Sequence, residues 1–145
     1  VSSNYAAISC LGFPQCNGLW VPPLHWSEAF NVFQPLGVNY QGGMLEVDAR
    51  MTIQWVHRLG ALLVWTYWLS VSILLWVKPY SAPFKPWILS LQGLLILQMA
   101  LGVVNVTMGL PLASAVLHNG IGAMILATTL CIMALVCGQR VQKNA

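Results

Sequence analysis

The sequence predicts an all-α integral membrane protein in which three transmembrane helices follow a long N-terminal loop. Of its 145 residues, 58% are hydrophobic and only 6% are charged, whereas about a quarter of the residues in an ordinary soluble domain are charged. Three apolar stretches reach the roughly 20 residues that a helix needs to cross a bilayer. They are residues 51–77, 87–106 and 112–138. The lipid bilayer is therefore an expected partner, and the lack of a basic patch argues against nucleic acid.

Residues 1–50 form a loop rich in proline, glycine and aromatic residues. The prolines and glycines exclude a long helix, and the aromatic side chains argue against disorder. The run HWSEAFNVFQ, residues 25–34, has apolar residues at helical spacing. We expect either a short amphipathic helix on the membrane surface or at the end of the bundle, or the ordinary packing of an ordered loop.

Cys10 and Cys16 lie in this loop with five residues between them. The spacing allows a disulfide in an oxidising compartment, and two free thiols are the alternative. Neither a CxxC motif nor a zinc site has this pattern. Cys131 and Cys137 are expected to be small apolar packing residues of the last span, because six residues turn a helix by about 600° and so place them on different faces.

Short segments separate the spans: a link at 78–86, a turn at 107–111 and a polar tail at 139–145. The cations of the link and tail are Lys78, Lys85, Arg140 and Lys143, and the loop has one cation and three acids, Arg50, Glu28, Glu46 and Asp48. Because basic residues mark the cytoplasmic side of a membrane protein, we expect the link and tail in the cytoplasm and the loop outside.

His57 and His118 lie inside the first and third spans. An ionisable residue within a span is costly and marks a functional site. Each histidine lies six residues into its span, about 9 Å below the helix start, and the two spans run in the same direction. We therefore expect the two imidazoles to hold one haem between them. A proton relay or a hydrogen bond between helices is the alternative. His25, in the loop, is expected to be a surface or loop-packing residue.

Glycines and arginines near these histidines fit the same hypothesis. Gly60 and Gly122 each lie one turn beyond a span histidine and on its face, which leaves room for a flat ring, although close helix packing is an alternative use of glycine. Arg58 is expected to meet the haem propionates, with Arg50 as a second candidate. Alternatively, Arg58 pairs with Glu46 or Asp48 of the loop or extends to the membrane surface.

Three motifs resemble those of the haem A synthase family: CLGFPQCNGLWVPP, IQWVHRLGALLV and LPLASAVLHNGIGAMILA. Members of this family are membrane enzymes that oxidise the C8 methyl group of haem O to the formyl group of haem A for cytochrome oxidase. They contain two similar four-helix halves, one for the substrate haem and one for haem b. The resemblance implies that the three spans are the last three helices of one four-helix haem-binding bundle, with its first helix missing.

The resemblance also implies which half this is. The catalytic half typically has glutamate three residues before its first ligand histidine, and this chain has Gln54 there. The runs VSSNYAA and VNYQGG also resemble the second half of proteobacterial members. On this resemblance, His57 and His118 ligate haem b, the fragment contains no catalytic residue, and it serves electron transfer within an oxidoreductase. The implied location is the bacterial inner membrane, with the loop periplasmic or extracellular.

The implied partner is the N-terminal half of the same protein, and a second copy of the chain is a further candidate. Two other functions remain open at this point. One is a stand-alone bis-histidine membrane cytochrome b that carries electrons without a substrate haem. The other is a non-haem membrane assembly subunit, whose histidines only form hydrogen bonds between helices.

Overall fold

The computed structural model describes residues 6–31, 46–77 and 84–144, the last six by their backbone alone. The elements are a 3-10 turn at Ala7–Ser9 and the helices α1 (Trp26–Ala29), α2 (Val47–Trp76), α3 (Lys85–Thr107) and α4 (Leu112–Asn144). Within these ranges there is no strand, only an isolated β-bridge between Cys16 and Leu19. The prediction of an all-α fold is therefore confirmed.

Three of the helices are long and apolar enough to cross a membrane: α2, α3 and the part of α4 from Leu112 to Gly138. Large apolar side chains remain exposed along them; Leu63, for example, is 68% exposed and Leu126 is 61% exposed. Such a surface is costly in water but costs nothing against lipid tails. The chain is a multi-pass membrane protein.

The helices extend beyond the predicted spans. α2 begins at Val47 rather than Met51, so the expected domain boundary at residue 50 falls inside this helix. Asp48 lies in its first turn, where a negative charge interacts favourably with the helix dipole. α4 continues through the predicted tail to Asn144. The predicted spans include only the apolar stretches, whereas a helix can continue through polar residues after it leaves the bilayer.

The helix predicted within residues 25–34 is only partly seen. The structure contains one turn, α1, and residues 32–34 lie outside the described ranges. α1 has no buried residue. Trp26 and Phe30 stack on each other at 6.0 Å between ring centroids. This part of the loop therefore presents an aromatic surface, as the amphipathic pattern predicts.

A tight turn joins α3 to α4 and makes them an antiparallel hairpin. Gly109 and Leu110 have positive φ angles of 70° and 63°, and the Leu110 N–H donates to the carbonyl of Asn105 at 2.8 Å. The Ser114 hydroxyl donates to the Asn105 side-chain oxygen at 2.6 Å, and both side chains are buried. Asn105 begins an Asn-Val-Thr glycosylation sequon, but its amide is used to close the hairpin.

The three long helices pack together in the half of the bundle opposite the loop. Leu91 and Leu95 of α3 and Ile132 of α4 form a buried cluster, against which Trp65 and Trp68 of α2 pack. A polar contact joins α2 and α3 at the same level. The Gln92 Nε2 donates to the Ser72 hydroxyl at 2.7 Å and to the Trp68 carbonyl at 3.1 Å. Hydrogen bonds of this kind hold membrane helices together where lipid provides no hydrophobic force.

The disulfide loop, residues 10–16, is a compact unit beside the N-terminal end of α2. Cys10 and Cys16 form a disulfide, and their buried side chains pack with Met51 of α2. Asn17 and Gly18 have positive φ angles, which is the backbone of a tight hairpin turn, for which Asn-Gly is the preferred pair. The side chain of Asn17 also accepts a hydrogen bond from the Leu11 N–H.

Further contacts fix the loop along one side of α2. The His25 N–H donates to the hydroxyl of Thr52 at 2.9 Å, and this hydroxyl donates to the Asp48 carbonyl at 2.8 Å. One turn further along α2, the Trp55 Nε1 donates to the Trp20 carbonyl at 2.9 Å. The helix thus provides a row of polar side chains, three to four residues apart, on which the loop rests.

Replacement of Thr52 by valine tests this docking. Thr52 is completely buried, and valine has the same shape but leaves the His25 N–H without a partner. We expect the free energy of unfolding to fall by about 1–3 kcal/mol, as measured by equilibrium unfolding in mixed micelles. Thr66→Val is the matched control, because the exposed Thr66 hydroxyl bonds only to carbonyls of its own helix. Equal losses in the two variants would contradict the docking role.

Candidate functional site

The structure brings His57 of α2 and His118 of α4 together. Their ring centroids are 6.2 Å apart, and the ring planes are inclined by 64°. Two imidazoles on opposite sides of one metal, with metal–nitrogen bonds of about 2 Å, have ring centres roughly 6 Å apart. The equal depth expected from the sequence is thus reflected in the structure, even though α2 begins four residues earlier than the predicted span.

His118 also contacts α3. Because an amide nitrogen only donates, the Gln98 Nε2 donates to the His118 Nε2 at 3.1 Å. Among the described residues, the other ring nitrogen of His118, Nδ1, is buried without a hydrogen-bond partner. A nitrogen that accepts from an amide can offer the same lone pair to a metal, so ligation through the His118 Nε2 would replace the Gln98 contact.

Two glycines allow this contact. A Cβ atom at Gly102 of α3 would lie 3.4 Å from the His118 Cε1, and a Cβ atom at Gly122 of α4 would lie 3.4 Å from the Gln98 Nε2. Each helix therefore has a glycine facing the polar side chain of the other. In the structure Gly122 makes room for Gln98, and the role beside a cofactor ring that the sequence suggests for it stays a prediction.

Gly60 lies in a different environment. A Cβ atom added there would meet no other atom within 4 Å, so the space beside this glycine is open. The nearby His57 is exposed, in contrast to the half-buried His118. An exposed imidazole beside an open stretch of helix leaves room for a flat ligand at α2. The donor set and the space therefore fit a haem between His57 and His118, with Gly60 on its α2 side.

Arg58 differs from the expectation. Its Nη1 donates to the carbonyls of Pro14 and Gln15, at 3.3 and 3.1 Å. Its Nη2 donates to the carbonyls of Cys10 and Gly12, at 2.8 and 3.0 Å. The guanidinium thus holds the disulfide loop through four carbonyls. The expected propionate role is corrected: the planar fork of an arginine matches this ring of acceptors, and the loop folds around it.

The other residues singled out from the sequence lie on the N-terminal part of α2 and on the loop beside it. Gln54 is buried near the outer end of α2. The His25 Nε2 lies 3.9 Å from the Asp48 carboxylate, and ligand atoms of His25, Glu28 and Glu46 lie within 4.8 Å of one another. Because the Glu46 N–H already donates to a Glu28 carboxylate oxygen, this cluster is an exposed charged contact between α1 and α2. His25 is thus involved in loop packing, in agreement with its expected role.

Sequence reasoning missed Gln98. It lies in the middle span, which the sequence analysis considered only as an apolar stretch. A signal was available: QMALG, residues 98–102, and HNGIG, residues 118–122, each place glycine four residues after a polar side chain. On antiparallel helices this spacing puts each glycine opposite the polar residue of the other helix.

Comparison with known proteins gives a family match over most of the chain. Residues 1–130 match the model of a family described as Cytochrome oxidase assembly protein. This range contains the disulfide loop, both span histidines and Gln98. No solved structure matches the chain.

One relative is the protein of Shewanella oneidensis named Heme A synthase. It is 44% identical to this chain over 127 residues, which are 88% of this chain and 38% of the relative. The chain therefore spans well under half of the length of that protein.

Replacement of Arg58 by lysine tests the arginine contacts. A single ammonium group does not reach all four carbonyls, and a hydrogen bond to a charged group contributes about 1.5–3 kcal/mol. We expect the disulfide loop to open about tenfold more often, since 1.4 kcal/mol corresponds to a factor of ten. The rate of disulfide reduction reports how often the loop opens. It is followed by maleimide labelling of Cys10 and Cys16 in a protein that lacks the free cysteines Cys131 and Cys137.

Arg50→Lys is the control for this measurement. Arg50 is on the same helix, and no hydrogen bond joins it to residues 10–16, all of which are described. The disulfide of the Arg50→Lys variant should be reduced at the wild-type rate. If Arg58→Lys is also reduced at the wild-type rate, the guanidinium does not hold the loop.

Proposed function

The chain belongs to the family of cytochrome oxidase assembly proteins, and from this premise we propose that it is the haem b-binding half of a haem A synthase. In this proposal the whole enzyme converts the C8 methyl group of haem O into the formyl group of haem A for cytochrome oxidase. The relative in Shewanella oneidensis, named Heme A synthase, supports the reaction. The role of this half is to hold a haem and pass electrons rather than to bind the substrate.

The observation that carries the proposal is the pairing of His57 with His118. The ring centroids are 6.2 Å apart, and the two rings come from different helices, so one metal could be ligated from two sides. Such bis-histidine ligation leaves no open position for substrate or oxygen, which suits electron transfer. A bound haem would supply reversible one-electron chemistry at its iron.

The residues of the chain have distinct tasks in this proposal. His57 and His118 would hold the haem iron, and Gly60 leaves open space beside α2 that a flat ring would use. Leu91, Leu95 and the tryptophans packed against them close the opposite half of the bundle with apolar side chains. An apolar, water-poor surrounding of this kind tunes the redox potential of a haem site.

Two further observations favour a non-catalytic half. The residue three before His57 is Gln54, a buried amide that cannot act as a carboxylate base. Among the described residues, the carboxylates, Glu28, Glu46 and Asp48, all belong to the outer region with the loop rather than to the apolar spans. The proposed location is the bacterial inner membrane, with the disulfide loop in the oxidising space outside.

Replacement of either span histidine by alanine tests the ligand assignment. We expect His57→Ala and His118→Ala each to abolish the low-spin bis-histidine spectrum of the purified full-length protein, because one axial position loses its nitrogen. His25→Ala is the control and should keep the spectrum. Reduced-minus-oxidised absorption spectra and electron paramagnetic resonance (EPR) report the change. Unchanged spectra in both span variants would refute the pairing.

Extraction of the pigment identifies the function more closely. Haem b together with haem O or haem A is expected in the full-length protein. Haem b alone would favour a stand-alone membrane cytochrome b, and no haem after reconstitution would favour a non-haem assembly subunit.

Alanine replacements of two glycines test the placement of the ring. Gly60→Ala meets no protein atom, so we expect normal folding but lower haem occupancy if the ring lies against this part of α2. Gly122→Ala crowds Gln98 instead, so it should disturb α3–α4 packing and lower the apparent melting temperature of the protein in detergent. Haem-to-protein ratios and thermal unfolding distinguish the two effects. Full haem occupancy in Gly60→Ala would place the ring elsewhere.

A further inference from the structure

We propose that the segment around the disulfide inserts into the surface of the bilayer, where its exposed apolar side chains contact phospholipid. These side chains, called here the apolar loop surface, are Leu11, Phe13, Leu19, Trp20 and Val21. Each is at least half exposed, and Trp20 is 69% exposed. The surface takes no part in the proposed haem site, so this inference does not depend on that function.

The composition of the segment favours lipid over water as its neighbour. Residues 1–24 contain no lysine, arginine, aspartate or glutamate. Groups of exposed apolar side chains mark surfaces that contact another protein or a membrane. Tryptophan in particular is enriched where lipid tails meet headgroups. The apolar loop surface therefore has the residue types of a membrane boundary.

The length of α2 shows where this boundary lies. The stretch from Leu59 to Trp76 contains no charged residue, and it forms about 27 Å of helix. The hydrocarbon core of a bilayer is roughly 30 Å thick. At the C-terminal end of this stretch the Lys85 ammonium lies 4.9 Å from the centre of the Trp76 ring, and both residue types are common at membrane boundaries. Arg58, at the other end, therefore marks the opposite boundary of the core.

The apolar loop surface is attached to α2 at this level. The Arg58 guanidinium donates to the carbonyls of Cys10 and Gly12, the residues on either side of Leu11. The Trp55 indole, one turn from Arg58, donates to the Trp20 carbonyl. The exposed apolar side chains thus belong to the part of the loop that is fixed nearest the core.

The charged contact of the loop lies at a different level. A Glu28 carboxylate oxygen accepts from the Glu46 N–H, about 18 Å further from the core than Arg58 along α2. In the other direction, Leu62 lies one turn beyond Arg58 on the same face of α2 and is half exposed. The face of α2 that carries the loop therefore continues into the surface that faces lipid.

The backbone of the loop is also suited to lipid, because backbone groups at membrane depth need partners within the protein. Four loop carbonyls accept from the Arg58 guanidinium. Cys16 and Leu19 exchange two N–H···O bonds of 2.9 Å, and the Asn17 N–H donates to the Leu11 carbonyl at 2.9 Å. Water would satisfy such groups in a fully hydrated loop. Their pairing inside the protein, combined with exposed apolar side chains, indicates a lipid neighbour.

Photocrosslinking tests the proposal at a matched pair of side chains. Phe13 and Phe30 are similarly exposed, at 56% and 53%, but Phe30 lies two residues after Glu28, near the charged contact. Each is replaced in turn by photoreactive p-benzoylphenylalanine in the full-length protein, in nanodiscs of phosphatidylcholine and phosphatidylglycerol. We expect the yield of phospholipid adduct, measured by mass spectrometry, to be severalfold higher at Phe13 than at Phe30. The same replacement of Leu63, in the middle of α2, provides the reference yield.

Three outcomes of this experiment would overturn the proposal. An adduct between the Phe13 site and another part of the protein would show that protein covers the surface. No adduct at this site, with a normal yield at Leu63, would show that it faces water. Equal phospholipid yields at Phe13 and Phe30 would show that the apolar loop surface is no deeper than the charged contact.

Tryptophan fluorescence provides a second measurement without a bulky probe. Trp20→Phe keeps the contact with Trp55, which is made through the main chain. We expect this variant to lose part of the fluorescence that brominated phosphatidylcholine quenches, and none of the fluorescence that aqueous iodide quenches. A loss of the iodide-quenched part would place Trp20 in water, and no change in either part would show that protein shields it. Both results would contradict the proposal.

Discussion

Polar groups within a membrane must find their partners inside the protein, because the bilayer core offers no water. The hydrogen bonds of the middle helix follow from this constraint. Gln92 joins α3 to α2, Gln98 joins α3 to α4, and Asn105 closes the turn between α3 and α4. Successive polar residues of the middle helix thus determine which neighbour lies beside it at each depth. The apolar side chains fill the space between these hydrogen bonds, but they do not specify how far one helix is shifted along its neighbour.

Near the N-terminal end of α2, backbone carbonyls also find a side-chain partner. The Arg58 guanidinium donates to the carbonyls of Cys10, Gly12, Pro14 and Gln15. The disulfide keeps these carbonyls close together, so that one side chain can reach them all. Since Arg58 follows His57 directly in sequence, the loop and the candidate haem ligand are fixed to the same turn of one helix.

Hydropathy and residue spacing were sufficient for the all-α fold, the three spans and the approach of His57 to His118, because these depend on length and depth along a helix. They were insufficient for the partners of Arg58 and Gly122. Spacing indicates which residues share a face, but the neighbour of that face depends on the rotation of each helix about its axis. This rotation is set by contacts such as those of Gln98, and it becomes visible only when the helices are assembled. The role of Asn105 was missed for the same reason.

The closed turn between α3 and α4 has a consequence for how the chain enters the membrane. Asn105 pairs with Ser114 and Gln98 pairs with His118, so each of these side chains has a hydrogen-bond partner within one stretch of sequence. The two helices can therefore leave an insertion channel as a single hairpin, with little polar surface exposed to lipid. Gln92, by contrast, needs α2 as its partner. Assembly in the bilayer would then consist of the docking of a preformed hairpin onto α2, and the site between His57 and His118 would be completed only in that last step.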